Sequence, residues 1–192
     1  MQTLVILAHP YAKSYCHALY ERVVQQLEQA GHAVDRLHLD LEDFDPVMRG
    51  QDLAVYAKGK SADPSVVAYQ ARIAAAQQLV FIFPIWWEVM PALLKGFLDK
   101  VFTKGWAYEP AKIGLKGHLT HIQRAVVVTT MNTPKWAYRL LYGDAVQRAL
   151  VRGTLRKCGV RKVEWVALSP VSHATDAKRK AWLDKVAAMF AA

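Results

Sequence analysis

The chain has 192 residues, 53% of them apolar and 21% charged, a mixture that suits one compact globular domain over residues 1–192 and excludes disordered and low-complexity classes. Its formal net charge is +9 and its two cysteines are Cys16 and Cys158, too few for a disulfide framework or a tetrahedral zinc site, so no metal and a reducing, cytoplasmic setting are expected. No apolar run reaches the ~20 residues needed to cross a bilayer, and no basic leader precedes the first strand-like run, so secretion and membrane spanning are not expected.

Thr3 to Ala8 is continuously apolar, the pattern of a strand covered on both faces by helices in a parallel sheet. Leu19, Val23 and Leu27 then recur at i, i+4, i+8, and Gly31 stands where a helix-ending glycine belongs. Ala33 to Leu39 alternates as a half-exposed strand. The acidic stretch Asp40 to Asp45 and Pro46 open a long irregular connection to about Asp63, and Pro64 starts a helix reaching about Gln78. Leu79 to Phe83 is a buried strand, Pro91 to Phe102 a helix, Gln123 to Thr130 a strand, Asp144 to Lys157 a helix and Val163 to Leu168 a fifth strand. Trp182, Val186 and Phe190 mark a closing amphipathic helix. Strands alternating with helices predict an α/β fold, a doubly wound five-stranded parallel sheet with helices on both faces.

Such sheets bind ligands at the carboxyl ends of their strands, where strand order reverses. Three loops are therefore singled out. The first, His9 to His17, runs into a helix N-terminus, where free N–H groups and the helix dipole favour a phosphate. Ser14 can add a hydroxyl donor and His9 or His17 an imidazole N–H; Ser14 also suits an N-cap, and the two roles are compatible. No GxGxxG or Walker A loop occurs. The second loop, Pro84 to Pro91, places Trp86 and Trp87 at the end of a buried strand. Planar apolar walls with free backbone amides suit an isoalloxazine ring. The third loop is Thr129 to Trp136.

The segment PIWWEVMPALLKGFLDKVF from Pro84 to Phe102, GWAYE at Gly105 to Glu109, AHPY at Ala8 to Tyr11 and the turn Ser14-Tyr15-Cys16-His17 resemble the NAD(P)H:quinone oxidoreductases of flavodoxin-like fold. The similarity is strongest to their small bacterial members, which include ancillary flavoproteins of glutathione-gated potassium efflux, and it covers roughly residues 1 to 168 in element order. It implies a noncovalent flavin, NAD(P)H as hydride donor, a quinone-like acceptor and a homodimer. Phosphate contacts carry over to His9, Ser14, Tyr15, Cys16 and His17, and the ring-binding stretch to Pro84, Ile85, Trp86 and Trp87. Thr129 and Thr130 match a Thr-Thr pair, whereas Met131 and Asn132 replace the two glycines that commonly follow. The tyrosine and histidine that relay charge in better-known members have no match, so no catalytic acid or base is assigned, and Tyr138 is not given that role.

The short chain favours FMN over FAD. Two-electron, ping-pong reduction of quinones or related aromatics is the expected activity; the alternative is a redox-sensing regulatory flavoprotein subunit of a membrane transporter, the one route to a membrane. A serine or cysteine hydrolase is disfavoured, since GxSxG is absent and no acidic orienter accompanies the histidines. Residues 1–100 hold 9 Lys/Arg against 11 Asp/Glu, and residues 101–192 hold 16 against 5. With no nucleic-acid motif beside it, this asymmetry reads as solvated helix faces and an anionic ligand rather than nucleic acid.

Overall fold

The computed structural model describes residues 1–56 and 58–191. Its main sheet is built from β1 (Gln2–Leu7), β2 (Ala33–His38), β3 (Gln78–Pro84), β6 (Arg124–Thr130) and β7 (Lys162–Leu168), all parallel, in the order β2-β1-β3-β6-β7. This is the flavodoxin-like order, and its five strands are those read from the sequence, four as apolar runs and Ala33 to Leu39 as a half-exposed alternating one. Along β3, Leu79, Phe81 and Phe83 face one layer while Val80 and Ile82 face the other. Both layers are buried, which is why the sequence shows no period of two.

Helices α1 (Tyr15–Gln29) and α6 (Asp176–Ala188) cover one face; α3 (Pro64–Ala75), α4 (Ala92–Val101), the short α5 (Lys135–Leu140) and a helix of π type, Gln147–Arg156, cover the other. Gly31, at φ +75°, ends α1: its N–H bonds Glu28 O and that of His32 bonds Leu27 O, the paired closure a left-handed residue makes possible.

The structure departs from expectation in the connections. The supposedly irregular stretch after β2 contains α2 (Gly50–Tyr56) and a 3₁₀ turn at Leu39–Leu41; α2 is short and mostly exposed, so it leaves little apolar period. Gln78 belongs to β3 rather than to the preceding helix. A small antiparallel hairpin, β4 (Tyr108–Pro110) with β5 (Leu115–Gly117), lies outside the main sheet, its three-residue strands too brief to alternate visibly.

Helix α4 anchors the α2 connection. A Cβ on Gly96 would stand 2.2 Å from Pro46 O, so only glycine lets that chain pass. One turn on, Lys100 donates to Asp45 O and to Asp63 Oδ2, each at 2.9 Å. Burial alone would raise the Asp63 pKa, but hydrogen bonds from Ser65 and Lys100 outweigh it and hold the carboxyl below its ordinary range. Phe97 is fully buried against Phe44 and Tyr69.

Candidate functional site

At the carboxyl ends of β1, β3 and β6 lies a cleft of about 290 Å³. It gathers His9, Tyr15, Cys16, Pro84, Ile85, Trp86, Thr130, Met131 and Asn132 from the three singled-out loops, and adds Val171 and Ser172. Ser14, His17, Trp87 and Thr129 are not among its lining residues.

The first loop closes through Ser14, whose N–H bonds Tyr11 O at 3.0 Å and whose Oγ accepts the His17 N–H at 3.3 Å. Ser14 is therefore the N-cap of α1. The first-turn N–H groups of Tyr15 and Cys16 have no acceptor within the helix and belong to residues that line the cleft. His9 Nδ1 accepts the Tyr11 N–H at 3.1 Å, which leaves Nε2 as the protonated donor of the neutral ring. Burial, then the neighbouring His17, lowers the His9 pKa, so the ring is neutral at neutral pH. His17 and His38 each place Nε2 3.2 Å from His9 O, which ties the loop to the end of β2.

Cys16 packs its thiol 3.3 Å from Thr130 Oγ1 on the cleft floor, and burial pushes its pKa up to about 11. Such a thiol is a packing group, not a nucleophile. Tyr15 donates its hydroxyl to Arg179 O at 2.6 Å, and burial raises its pKa to about 12.

In the second loop three of the backbone amides expected to be free, those of Ile85, Trp86 and Val89, are already used. Ile85 N–H bonds Thr130 O at 2.8 Å, and Trp86 and Val89 exchange backbone hydrogen bonds of 2.9 and 3.1 Å. Between them Trp87 and Glu88 both have positive φ, 48° and 66°, the backbone of a tight hairpin turn that normally selects glycine or asparagine. This turn sends the Trp87 side chain, 97% exposed, into solvent. Trp86 alone of the pair walls the cleft, its ring 5.7 Å from His9 and edge-on to it. Adjacency in sequence suggested two walls, and the turn geometry provides one.

The third loop is stitched to the chain after β7, a segment that sequence reasoning passed over. Met131 donates to Leu168 O and accepts from Val171 N–H, each at 3.1 Å, and Asn132 Oδ1 accepts the Ser172 N–H at 2.9 Å. The signal for Val171 and Ser172 was topological: they follow the carboxyl end of a parallel strand, as the other site loops do. Thr129 is fully buried beneath the cleft, its Oγ1 accepting Trp165 Nε1 at 2.9 Å. Tyr138 is buried as well; its hydroxyl donates to Glu88 O at 2.6 Å and accepts the Val146 N–H at 3.0 Å. Both capacities are spent on structure.

The cleft thus offers one indole wall, a helix N-terminus with free N–H groups, an imidazole donor and a side-chain amide, without a paired acid and base. A planar anionic ligand matches it: a phosphate at α1 and a conjugated ring beside Trp86.

The profile of a family described as flavodoxin-like fold matches residues 1–190. NAD(P)H dehydrogenase [quinone] 1 of Cavia porcellus is 29% identical over 182 residues, which cover 85% of this chain and 66% of that protein; the chain spans just under two-thirds of that relative's length. The NAD(P)H:quinone oxidoreductase of Methanothermobacter marburgensis superposes with a TM-score of 0.87 at 25% identity, covering 99% of this chain and 95% of that one. General stress protein 14 of Treponema denticola, solved in complex with FMN, superposes with a TM-score of 0.60 at 26% identity, covering 99% and 95% of the two chains.

Proposed function

The chain belongs to the family of flavodoxin-like fold, and from that membership and its cleft we propose that it is an FMN-dependent NAD(P)H oxidoreductase that reduces quinones and related aromatic acceptors. The observation that carries the reading is the convergence, in one cleft at the strand-order reversal, of the α1 N-terminus, Trp86 and the Thr130–Asn132 loop. The relatives named for NAD(P)H and quinone, and the Treponema protein that carries FMN, support it.

FMN bound there would supply the acceptance of a hydride from the nicotinamide and delivery of two electrons to the acceptor, the sum being NAD(P)H, quinone and a proton giving NAD(P)⁺ and hydroquinone. The protein's part is binding and orientation. Tyr15 and Cys16 N–H groups and the His9 Nε2–H would hold the phosphate, with the helix dipole adding attraction. Trp86 and Ile85 exclude water from one side, and Met131 and Asn132 close the other. Ile85, Trp86 and Met131 have spent their backbone donors, whereas the Asn132 side-chain amide keeps its NH₂ and would offer it to the ring's polar edge.

We also read the working assembly as a homodimer. A groove of about 360 Å³ runs along α4, lined by Leu98, Phe102, Tyr108 and Leu115 among others, and its apolar character suits a second copy of the chain. Among the described residues no helix is long and apolar enough to cross a membrane.

Titrating purified protein with FMN tests the reading: quenching of flavin fluorescence at one equivalent per chain supports it, and no quenching refutes it.

A further inference from the structure

Beyond the Asn132 loop the chain builds a second concavity. Gly143 and Asp144, with positive φ of 77° and 54°, reverse the chain between α5 and the π-type helix, and the two elements become facing walls. Between them lie adjoining cavities of about 350 and 210 Å³ that share Arg139, Asp144, Gln147 and Arg152. Lys135 and Arg148 complete a set of four cations around one carboxylate, and the Trp136 indole, 64% exposed, joins the wall.

These charges are not neutralised by one another. Among the described residues Lys135, Arg148 and Arg152 make no ion pair, and Arg139 only approaches Asp144, at 3.8 Å. Asp144 keeps a buried Oδ1 without a hydrogen-bond partner. Guanidinium groups converging on a concavity form a phosphate site, since each can donate two parallel N–H bonds to phosphate oxygens. An exposed indole beside them offers a stacking face for a nucleobase.

The location narrows the ligand. Lys135 follows Asn132 by three residues, so their Cα atoms lie within roughly 11 Å, and Asn132 lines the flavin cleft. Trp165, in the wall of the smaller cavity, donates to Thr129 directly beneath that cleft. A ligand with its reactive ring in the cleft and its phosphates in the basic cavity is a nicotinamide dinucleotide. The pyrophosphate alone brings two negative charges, fewer than the four cations and single carboxylate call for; a 2′-phosphate adds about 1.5 to 2 more.

We infer that Lys135, Arg139, Arg148 and Arg152 bind the 2′-phosphorylated adenosine end of the donor, with the adenine on Trp136, which makes NADPH the preferred reductant. The inference rests on the hydride-transfer reading of the cleft, and its test is independent of turnover. Purified protein is titrated calorimetrically with 2′,5′-ADP and with 5′-AMP, which lacks the 2′-phosphate. The expected result is binding of 2′,5′-ADP at least tenfold tighter, a preference lost in the Arg148→Gln/Arg152→Gln double variant while melting temperature and FMN affinity stay at the parent values. Trp136→Ala should weaken both nucleotides together. Equal affinity for the two nucleotides, or a preference that survives the double substitution, overturns the inference. FMN affinity, read separately, reports on the flavin assignment, so the two can fail independently.

Discussion

Ser172 donates its backbone N–H to Asn132 Oδ1 over 2.9 Å, and because a backbone N–H can only donate, the bond fixes which way the Asn132 amide faces. Its oxygen is held by the loop after β7 and its NH₂ is left for the cleft. Asn132→Asp keeps the shape but removes that donor and adds a negative charge. FMN affinity should fall about 10-fold or more, the scale of one hydrogen bond to a group carrying charge, and the flavin reduction potential should drop. Unchanged affinity and potential, by fluorescence titration and dye equilibration, would show that the amide does not meet the flavin.

Ser14 is an N-cap in the structure, with Oγ on the His17 N–H. Ser14→Ala should therefore cost about 1 kcal/mol of stability, and Ser14→Gly much less, by chemical denaturation. A large loss of FMN affinity in Ser14→Ala with stability intact would instead assign the hydroxyl to the phosphate.

Trp86 and Trp87 separate cleanly. Trp86→Ala removes the indole wall and should lower quinone reduction at saturating flavin by about 100-fold, since small misplacements of reacting groups carry that penalty. Trp87→Ala, at a side chain 97% exposed, should shift monomer stability by no more than ~0.5 kcal/mol. A matching collapse of stability in both variants would mean that the turn, rather than the wall, is what the pair provides.

Burial raises the thiol pKa of Cys16 and of Cys158 from 9.0 to about 11. On unfolding each thiol returns to its ordinary value and ionises more readily, so this contribution to stability is present below pH 9 and is lost as pH rises toward 11. The melting temperature should decline over that interval, and iodoacetamide at pH 8 should leave both thiols unmodified in native protein while labelling both in denaturant. Rapid labelling of native Cys16 would contradict its placement on the cleft floor.

The sheet was legible because its strands are buried on both faces: TLVILA, LVFIF and AVVV admit little else, and the Leu19–Val23–Leu27 period with Gly31 marked α1 and its end. The connections were not. Helix α2 and the β4–β5 hairpin are short, and tertiary contacts such as Lys100 with Asp63 decide their paths more than local pattern does. Within the site, topology located the three loops but could not orient Trp87, whose direction follows from the two positive φ angles of its turn. Nor could it show that Thr129 faces Trp165 beneath the cleft. Val171 and Ser172, which follow the carboxyl end of β7, are tied to the site by hydrogen bonds to Met131 and Asn132, contacts that no local pattern records.

The steady-state pattern of initial velocities, with NADPH and a soluble naphthoquinone each varied against the other in flavin-saturated protein, tests the central claim most directly. A single cleft that receives donor and acceptor in turn must give parallel lines in double-reciprocal plots, with the quinone reduced mole for mole with NADPH oxidised. Intersecting lines would place donor and acceptor in the site together, and NADPH oxidation that ignores the quinone would remove the assigned activity.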